Sequence, residues 1–280
     1  ALSAQLESGK GKSSIPKQIT ELCHEIEMIL GTQSIVLLAP HAMLHKVPWR
    51  ALFREAGIPW SQLPFITQFS PLLDPDSPNP DAVITSGAIA LGHGFAGTGS
   101  NRLNLEEEAR EFIEAFAGNG SLIRGARSAD IVSALGEQKI ALISCHGRII
   151  STERGDRFLF DLADGNNAPD ELIKSSVAAP LVILSACSSG VYEMAMGDYP
   201  VGAAPEFILA GARFCICTRF PISAYFTKAF FPAFGKLLNS GCSVGIAFAR
   251  ALQEVETQGY DRWLHLACVE LLGRGISDSK

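Results

Sequence analysis

Two short apolar runs constrain this chain most, because each stops abruptly at a reactive side chain. Ile140-Ala-Leu-Ile-Ser-Cys-His-Gly147 carries His146, and Leu181-Val-Ile-Leu-Ser-Ala-Cys-Ser-Ser-Gly190 carries Cys187. Apolar, partly β-branched runs of this length suit strands buried on both faces, in the middle of a parallel sheet. In open α/β sheets, reactive groups gather where such strands end, at the carboxyl edge. The two runs therefore predict one rim that holds a thiol beside an imidazole. That pairing supplies a nucleophile and its proton acceptor, and the small residues after each let backbone N–H groups approach a substrate carbonyl. The constellation is that of a cysteine hydrolase.

Bulk properties narrow the alternatives. With 280 residues, 47% hydrophobic and 19% charged, one domain with a sizeable core is expected. A net charge of −6 and a pI near 5.6 provide no basic footprint, so direct nucleic-acid binding is not expected. No apolar stretch reaches the roughly 20 residues that cross a bilayer. Residues 1–16 form a polar extension or linker without a signal-peptide pattern, and no membrane partner is expected. Seven cysteines include no C-x-x-C pair, and Cys145, Cys187, Cys215 and Cys217 lie in or beside expected core strands. That distribution suits reduced thiols and a cytoplasmic location. No cofactor or metal is expected.

Periodicity places a helix at Lys17–Leu30 with Gly31 as its stop, and further helices at Leu105–Phe116 and from a Ser128 cap through Leu135. Others run past Pro205 to Ala210 and from a Ser243 cap through Glu256. Strands are expected at Ser34–Leu38, Ala82–Leu91, Ile140–Cys145, Phe158–Asp161, Leu181–Ser185 and Arg213–Thr218, with a final one within Trp263–Leu272. Alternation of strand and helix argues for an α/β fold whose mainly parallel sheet is covered on both faces. Ile149–Arg157 and Val191–Pro200, rich in Gly and polar residues, are expected as loops rimming a substrate groove.

Three motifs are set aside. Gly92-His-Gly-Phe-Ala-Gly97 fits G-x-G-x-x-G, but no helix starts at its second glycine, and Glu106, Glu107 and Glu108 would repel a pyrophosphate. A nucleotide-dependent oxidoreductase would rest on that motif alone. Gly11-Lys-Ser13 lacks the earlier glycine of a P-loop, which Leu6 replaces. His41 and His45 have a zinc-like spacing, yet Pro40 and Pro48 oppose a continuous helix and no third ligand declares itself.

The chain resembles the CHAT proteases, which are grouped with caspases, separases and gingipains. The resemblance rests on Ile35-Val-Leu-Leu-Ala-Pro with Leu44-His-Lys-Val-Pro48, on His146-Gly147, and on Leu184-Ser-Ala-Cys187 with Gly190. It continues in Glu206-Phe-Ile-Leu-Ala-Gly-Ala212 and Gly241-Cys-Ser-Val-Gly-Ile-Ala247. It implies a caspase-like α/β/α sandwich over residues 17–280, with a divergent N-terminal half to about residue 120 and a catalytic half after it. It also implies a Cys187–His146 dyad that cleaves protein substrates, with the N–H groups of Gly147 and Cys187 as oxyanion hole. Family members commonly act beside a regulatory sensor or repeat domain, in prokaryotic defence or cell death. Asp198 matches a position where relatives carry an acid, and an acid there would select a basic side chain. Around Arg219 and Phe220 the pattern departs from the family, and Arg219 instead raises an acidic preference. The alternative class is a catalytically silent caspase-like docking module.

Overall fold

Strands that are apolar on both faces must pair side by side and be covered twice. The computed structural model describes residues 16–31, 36–40, 42–59, 63–68, 83–96, 103–116, 118–153, 155–174, 176–195, 199–258 and 267–273. Residues 1–15 of the expected extension lie outside them. The N-terminal half supplies α1 (Lys17–Leu30), β1 (Val36–Leu38), a 3-10 turn (Ala42–Lys46), α2 (Trp49–Glu55), β2 (Phe65–Gln68) and β3 (Ala88–Gly92). Two short paired strands, β4 (Phe95–Ala96) and β5 (Leu103–Asn104), lead into α3 (Leu105–Glu114). Next come β6 (Gly120–Arg124), α4 (Ser128–Leu135), β7 (Ile140–Ser144), β8 (His146–Thr152), β9 (Gly155–Leu162), β10 (Gly165–Asn167) and α5 (Pro169–Leu172). The remainder is β11 (Leu181–Ser185), β12 (Tyr192–Ala195), β13 (Tyr199–Gly202), α6 (Ala203–Ala210), β14 (Phe214–Thr218), α7 (Ala224–Asn239), α8 (Val244–Thr257) and β15 (Val269–Gly273).

Eight strands form one sheet in the order β1-β2-β15-β14-β11-β7-β3-β6. All its pairs are parallel except β14 with β15, so the sheet is mainly parallel as expected. Successive strand residues point to opposite faces, and β7 and β11 show it cleanly. Leu142 and Ile183 join Phe112, Phe230 and Phe248 on one face, while Ile143 and Leu184 join Ile131, Phe160 and Phe207 on the other. Helices α3, α7 and α8 cover the first face; α4, α5 and α6, with β9, cover the second. A smaller cluster of Cys23, Val36, Leu52, Phe53 and Phe65 seats α1 and α2 on the β1–β2 edge. No described helix is long and apolar enough to cross a membrane.

The predicted α1 and its Gly31 stop are found, as is β11 at its predicted bounds. Other boundaries differ for physical reasons. The run predicted as a strand from Ala82 becomes one only at Ala88, because Gly87 turns with φ +79° directly against Asn119. Ser128 is the first helical residue of α4 rather than its cap; its amide and hydroxyl bond Asp164, and Asp130 accepts from the Arg127 amide. The helix from Leu105 ends at Glu114, short of Phe116, and Ser243 caps α8 without a side-chain hydrogen bond. The final strand lies at the end of the predicted window, with Ala267 and Cys268 helical and residues 263–266 outside the described set.

The largest correction concerns the two rim segments. Ile149–Arg157 belongs to the β8–β9 hairpin, paired from His146↔Asp161 to Thr152↔Gly155, and Val191–Pro200 contains most of the β12–β13 hairpin. Their polar, glycine-bearing sequences hide strands because these pair off the main sheet, with β8 exposed along nearly its whole length.

Phe230 is fully buried, stacked between Phe226 and Phe234 at centroid distances of 5.6 and 5.8 Å and edge-on to Phe248. Its truncation leaves a cavity the neighbouring rings cannot close. Phe230→Ala is expected to cost about 3–5 kcal/mol, read as a lower urea midpoint with an unchanged slope.

Candidate active site

Register does the first part of the assembly. Strands β7 and β11 are adjacent and parallel, with Ser144 opposite Ser185. Two residues beyond that pair come His146 on one strand and Cys187 on the other, and neighbouring strands lie about 4.8 Å apart. The Cys145 amide donates to Ser185 O at 3.2 Å, extending the pairing past the last ladder position. Thiol and imidazole are thus delivered to one rim, as the two apolar runs predicted.

The chain after Cys187 bends at once. Ser188 has φ +62°, the one positive φ among described non-glycine residues, a conformation that costs a side-chain-bearing residue about 1–2 kcal/mol. Neighbouring contacts hold it there. Ser189 is fully buried, with its Oγ donating to Leu184 O at 3.2 Å and accepting from the Thr218 amide at 3.1 Å. Thr218 Oγ1 donates to Ala186 O at 2.8 Å, and the Gly190 amide donates to Thr218 O at 2.8 Å. Glycine at 190 is required for this closeness, since a Cβ there would lie 2.8 Å from Cys217 Sγ. The bend leaves Cys187 half-buried, and no described residue occupies its N–H.

His146 opens β8 and is exposed. Its ring lies beside Gly94, where a Cβ would come within 3.4 Å of Cδ2. Gly147 is equally constrained: a Cβ would meet Cys187 O at 2.5 Å and the Phe158 ring at 2.7 Å. The backbone after the histidine therefore passes directly over that of the cysteine. Cys145, Cys215 and Cys217 are buried, and burial pushes all three thiols well above their ordinary range. Burial likewise pushes Cys268 up to about 12.

A family model for the CHAT domain matches residues 19–263. The chain belongs to the CHAT domain family. No curated protein matches it by sequence. The fold of this CHAT chain is caspase-like, shared with cysteine peptidases. The complex of Porphyromonas gingivalis RgpB pro- and mature domains matches with a TM-score of 0.62 at 12% identity, over 96% of this chain and 73% of that one. The Saccharomyces cerevisiae separase–securin complex matches with a TM-score of 0.57 at 15% identity. That match covers 86% of the CHAT chain but only 16% of the other.

The CHAT chain's expected specificity residues are placed less simply. Arg219, one residue past β14, forks onto Glu270 of β15, with Nε and Nη2 donating at 2.8 and 2.7 Å. Burial alone would lower the guanidinium's pKa, but Glu270 reverses the sign and holds it above its usual range. Its charge is thus already matched inside the protein, which removes it as an open receptor for an acidic substrate. Phe220 packs partly buried against the core. Asp198 lies outside the described residues.

What sequence reading missed is the space between the two hairpins, because, of their four strands, it foresaw one, Phe158–Asp161 within β9, and neither partner arm. A cavity of about 370 Å³ opens there beside Ile149, Phe158, Val191, Val201, Asp170 and Glu206. Burial, reinforced by Asp170 and opposed by Arg157, pushes Glu206 up to about 7. Also missed was Glu108, which is 3% exposed beneath the rim. The signal was its phase: Leu105, Glu108, Ala109 and Phe112 share one helical face, and all are buried.

Differences in exposure separate Cys187 from the buried thiols. A peptide-based electrophile is expected to modify Cys187 well ahead of Cys145, Cys215, Cys217 and Cys268. Gly147→Ala, which drives a methyl group into Cys187 O, should slow that modification at least about tenfold. Intact-mass and peptide-mapping mass spectrometry measure both outcomes; a main adduct on another cysteine would contradict the assignment.

Proposed function

We propose that this CHAT chain is a cysteine endopeptidase acting through Cys187 and His146. The observation that carries the reading is the β7–β11 register, which brings the two residues to one rim while the Ser188 bend presents the thiol. Cys187 Sγ attacks the substrate carbonyl as His146 accepts the thiol proton; His146 then returns that proton to the departing amine. Charge gathering on the carbonyl oxygen is received by the N–H groups of Cys187 and Gly147. In the second half, His146 activates water, and hydrolysis of the thioester frees the thiol.

A protein segment, rather than a small molecule, suits the surroundings. The β8–β9 and β12–β13 hairpins form two walls directly downstream of the dyad residues, with exposed Ile149, Ile150, Val191 and Val201 on them. An extended peptide can lie along such walls, with main-chain hydrogen bonds providing affinity. The same hairpins are natural elements for an activating sensor domain or partner to order, with signalling in prokaryotic defence or cell death as the setting. RgpB is captured with its pro-domain and separase with securin, which supports control by another protein segment.

The deciding experiment is a proteome-wide cleavage screen with three proteins side by side. Cys187→Ala and His146→Ala are each expected to reduce cleavage at least about a thousandfold while leaving thermal unfolding unchanged, because the two residues act as a unit. Equal fragment patterns from Cys187→Ala and the unmodified chain would end the endopeptidase reading. Absence of fragments in all three, with and without partner proteins, would favour the docking module.

A further inference from the structure

Under the two strands that carry the dyad sits a carboxyl group that the mechanism above does not use. Glu108 comes from α3, and its side chain reaches Ser144, the last residue of β7, at 2.8 Å. The hydroxyl of Thr227 on α7 bonds it as well, and that of Ser185, the last residue of β11, lies close enough to favour its ionised form. Ser144 and Ser185 are register partners, each two residues before a member of the dyad. All four side chains are at most 5% exposed. One carboxyl group of α3 thus bonds the end of β7 and α7 and lies against the end of β11, all on the same sheet face.

We propose that Glu108 is a positioning residue, tying the ends of β7 and β11 to α3 and α7 and so fixing the separation of Cys187 and His146. The proposal rests on the dyad reading above. Proton counting indicates the form in which it acts. Ser144 Oγ has one proton but two acceptors in reach, Leu105 O at 3.0 Å and Glu108 Oε1 at 2.8 Å. Thr227 Oγ1 likewise has Ala224 O at 3.2 Å and Glu108 Oε2. A neutral carboxyl adds a proton to this set, whereas a carboxylate would leave more acceptors than donors. The electrostatics agree. Burial raises the carboxyl's pKa, the neighbouring charge acting on it is another acid, Glu111, and Lys228 of α7 pairs with Glu111 instead, at 3.1 Å. Three hydroxyl contacts work in the opposite direction and stabilise the ionised form. A neutral acid between two strand ends both donates and accepts, which defines spacing in a way that an apolar contact cannot.

The test compares Glu108→Ala and Glu108→Gln with the unmodified chain and Cys187→Ala. Readouts are kcat and KM on a peptide reporter from the cleavage screen, thermal unfolding, and the rate at which iodoacetamide alkylates Cys187. Glu108→Ala should lower kcat at least about tenfold with KM within about threefold, since small displacements of reacting groups act on the chemical step. Glu108→Gln, which matches the neutral acid in shape and both donates and accepts, should recover most of that loss. Alkylation of Cys187 should slow in Glu108→Ala and recover in Glu108→Gln, because imidazole proximity sets thiolate character. Unchanged kcat and alkylation in a folded Glu108→Ala, or equal losses in both variants, would overturn the proposal. If Glu108→Ala does not fold, Ser144→Ala/Ser185→Ala removes the same ties: a tenfold lower kcat supports the role, and wild-type kcat overturns it. Full cleavage by Cys187→Ala would instead strike the dyad reading, leaving the alkylation series to judge Glu108 on its own.

Discussion

The placing of His146 beside Cys187 hangs from the parallel pairing of β7 with β11. A slip of one residue between them would separate Ser144 from Ser185, and with them His146 from Cys187. Both strands are buried on both faces, so rotating either to recover the spacing would send Leu142 or Ile183 into the space built for Ile143 or Leu184. Two cores therefore enforce one register, which makes the rim geometry far stiffer than contacts at the rim alone could make it.

Around the apolar interior runs a narrow band of buried polar groups at the strand ends. Thr218 and Ser189 hold the bend after the thiol, and Glu108 ties the end of β7 to α7 beneath it. Arg219 and Glu270 are each about 10% exposed as a forked ion pair between β14 and β15. Such a pair gains little net stability after desolvation, but removing one partner leaves a buried charge unmatched. Its value lies in directional constraint. Tyr192, at the start of the hairpin that follows Cys187, bonds His45 at 3.4 Å and so joins that hairpin to the N-terminal half.

Sequence alone revealed the strands that end at His146 and Cys187 because burial on both faces writes itself as an unbroken apolar run, as in Leu181–Ser185. It revealed the mainly parallel sheet through the alternation of such runs with helices. It failed where exposure and pairing depend on distant partners. Ile149 to Thr152 read as part of a loop because a two-stranded arm leaves nearly all its side chains in solvent. Arg219 read as an open receptor because Glu270, its partner, lies far along the chain. Glu106, Glu107 and Glu108 are chemically identical in sequence; only helical phase distinguishes the one that turns inward.

Strand β15 adds a temporal consequence. It sits between β14 and β2, so among the described strands β1 and β2 join the main sheet only through Val269–Gly273. On a ribosome, β3, β6, β7, β11 and β14 can assemble as they emerge, yet the earliest strands have no edge to join until nearly all the described chain has been made. Such distant pairing is slow to close, and until it does the edge of β14 stands open. The rim that carries His146 and Cys187 can therefore form before β15 is made, with β15 acting as the latch that seats β1 and β2.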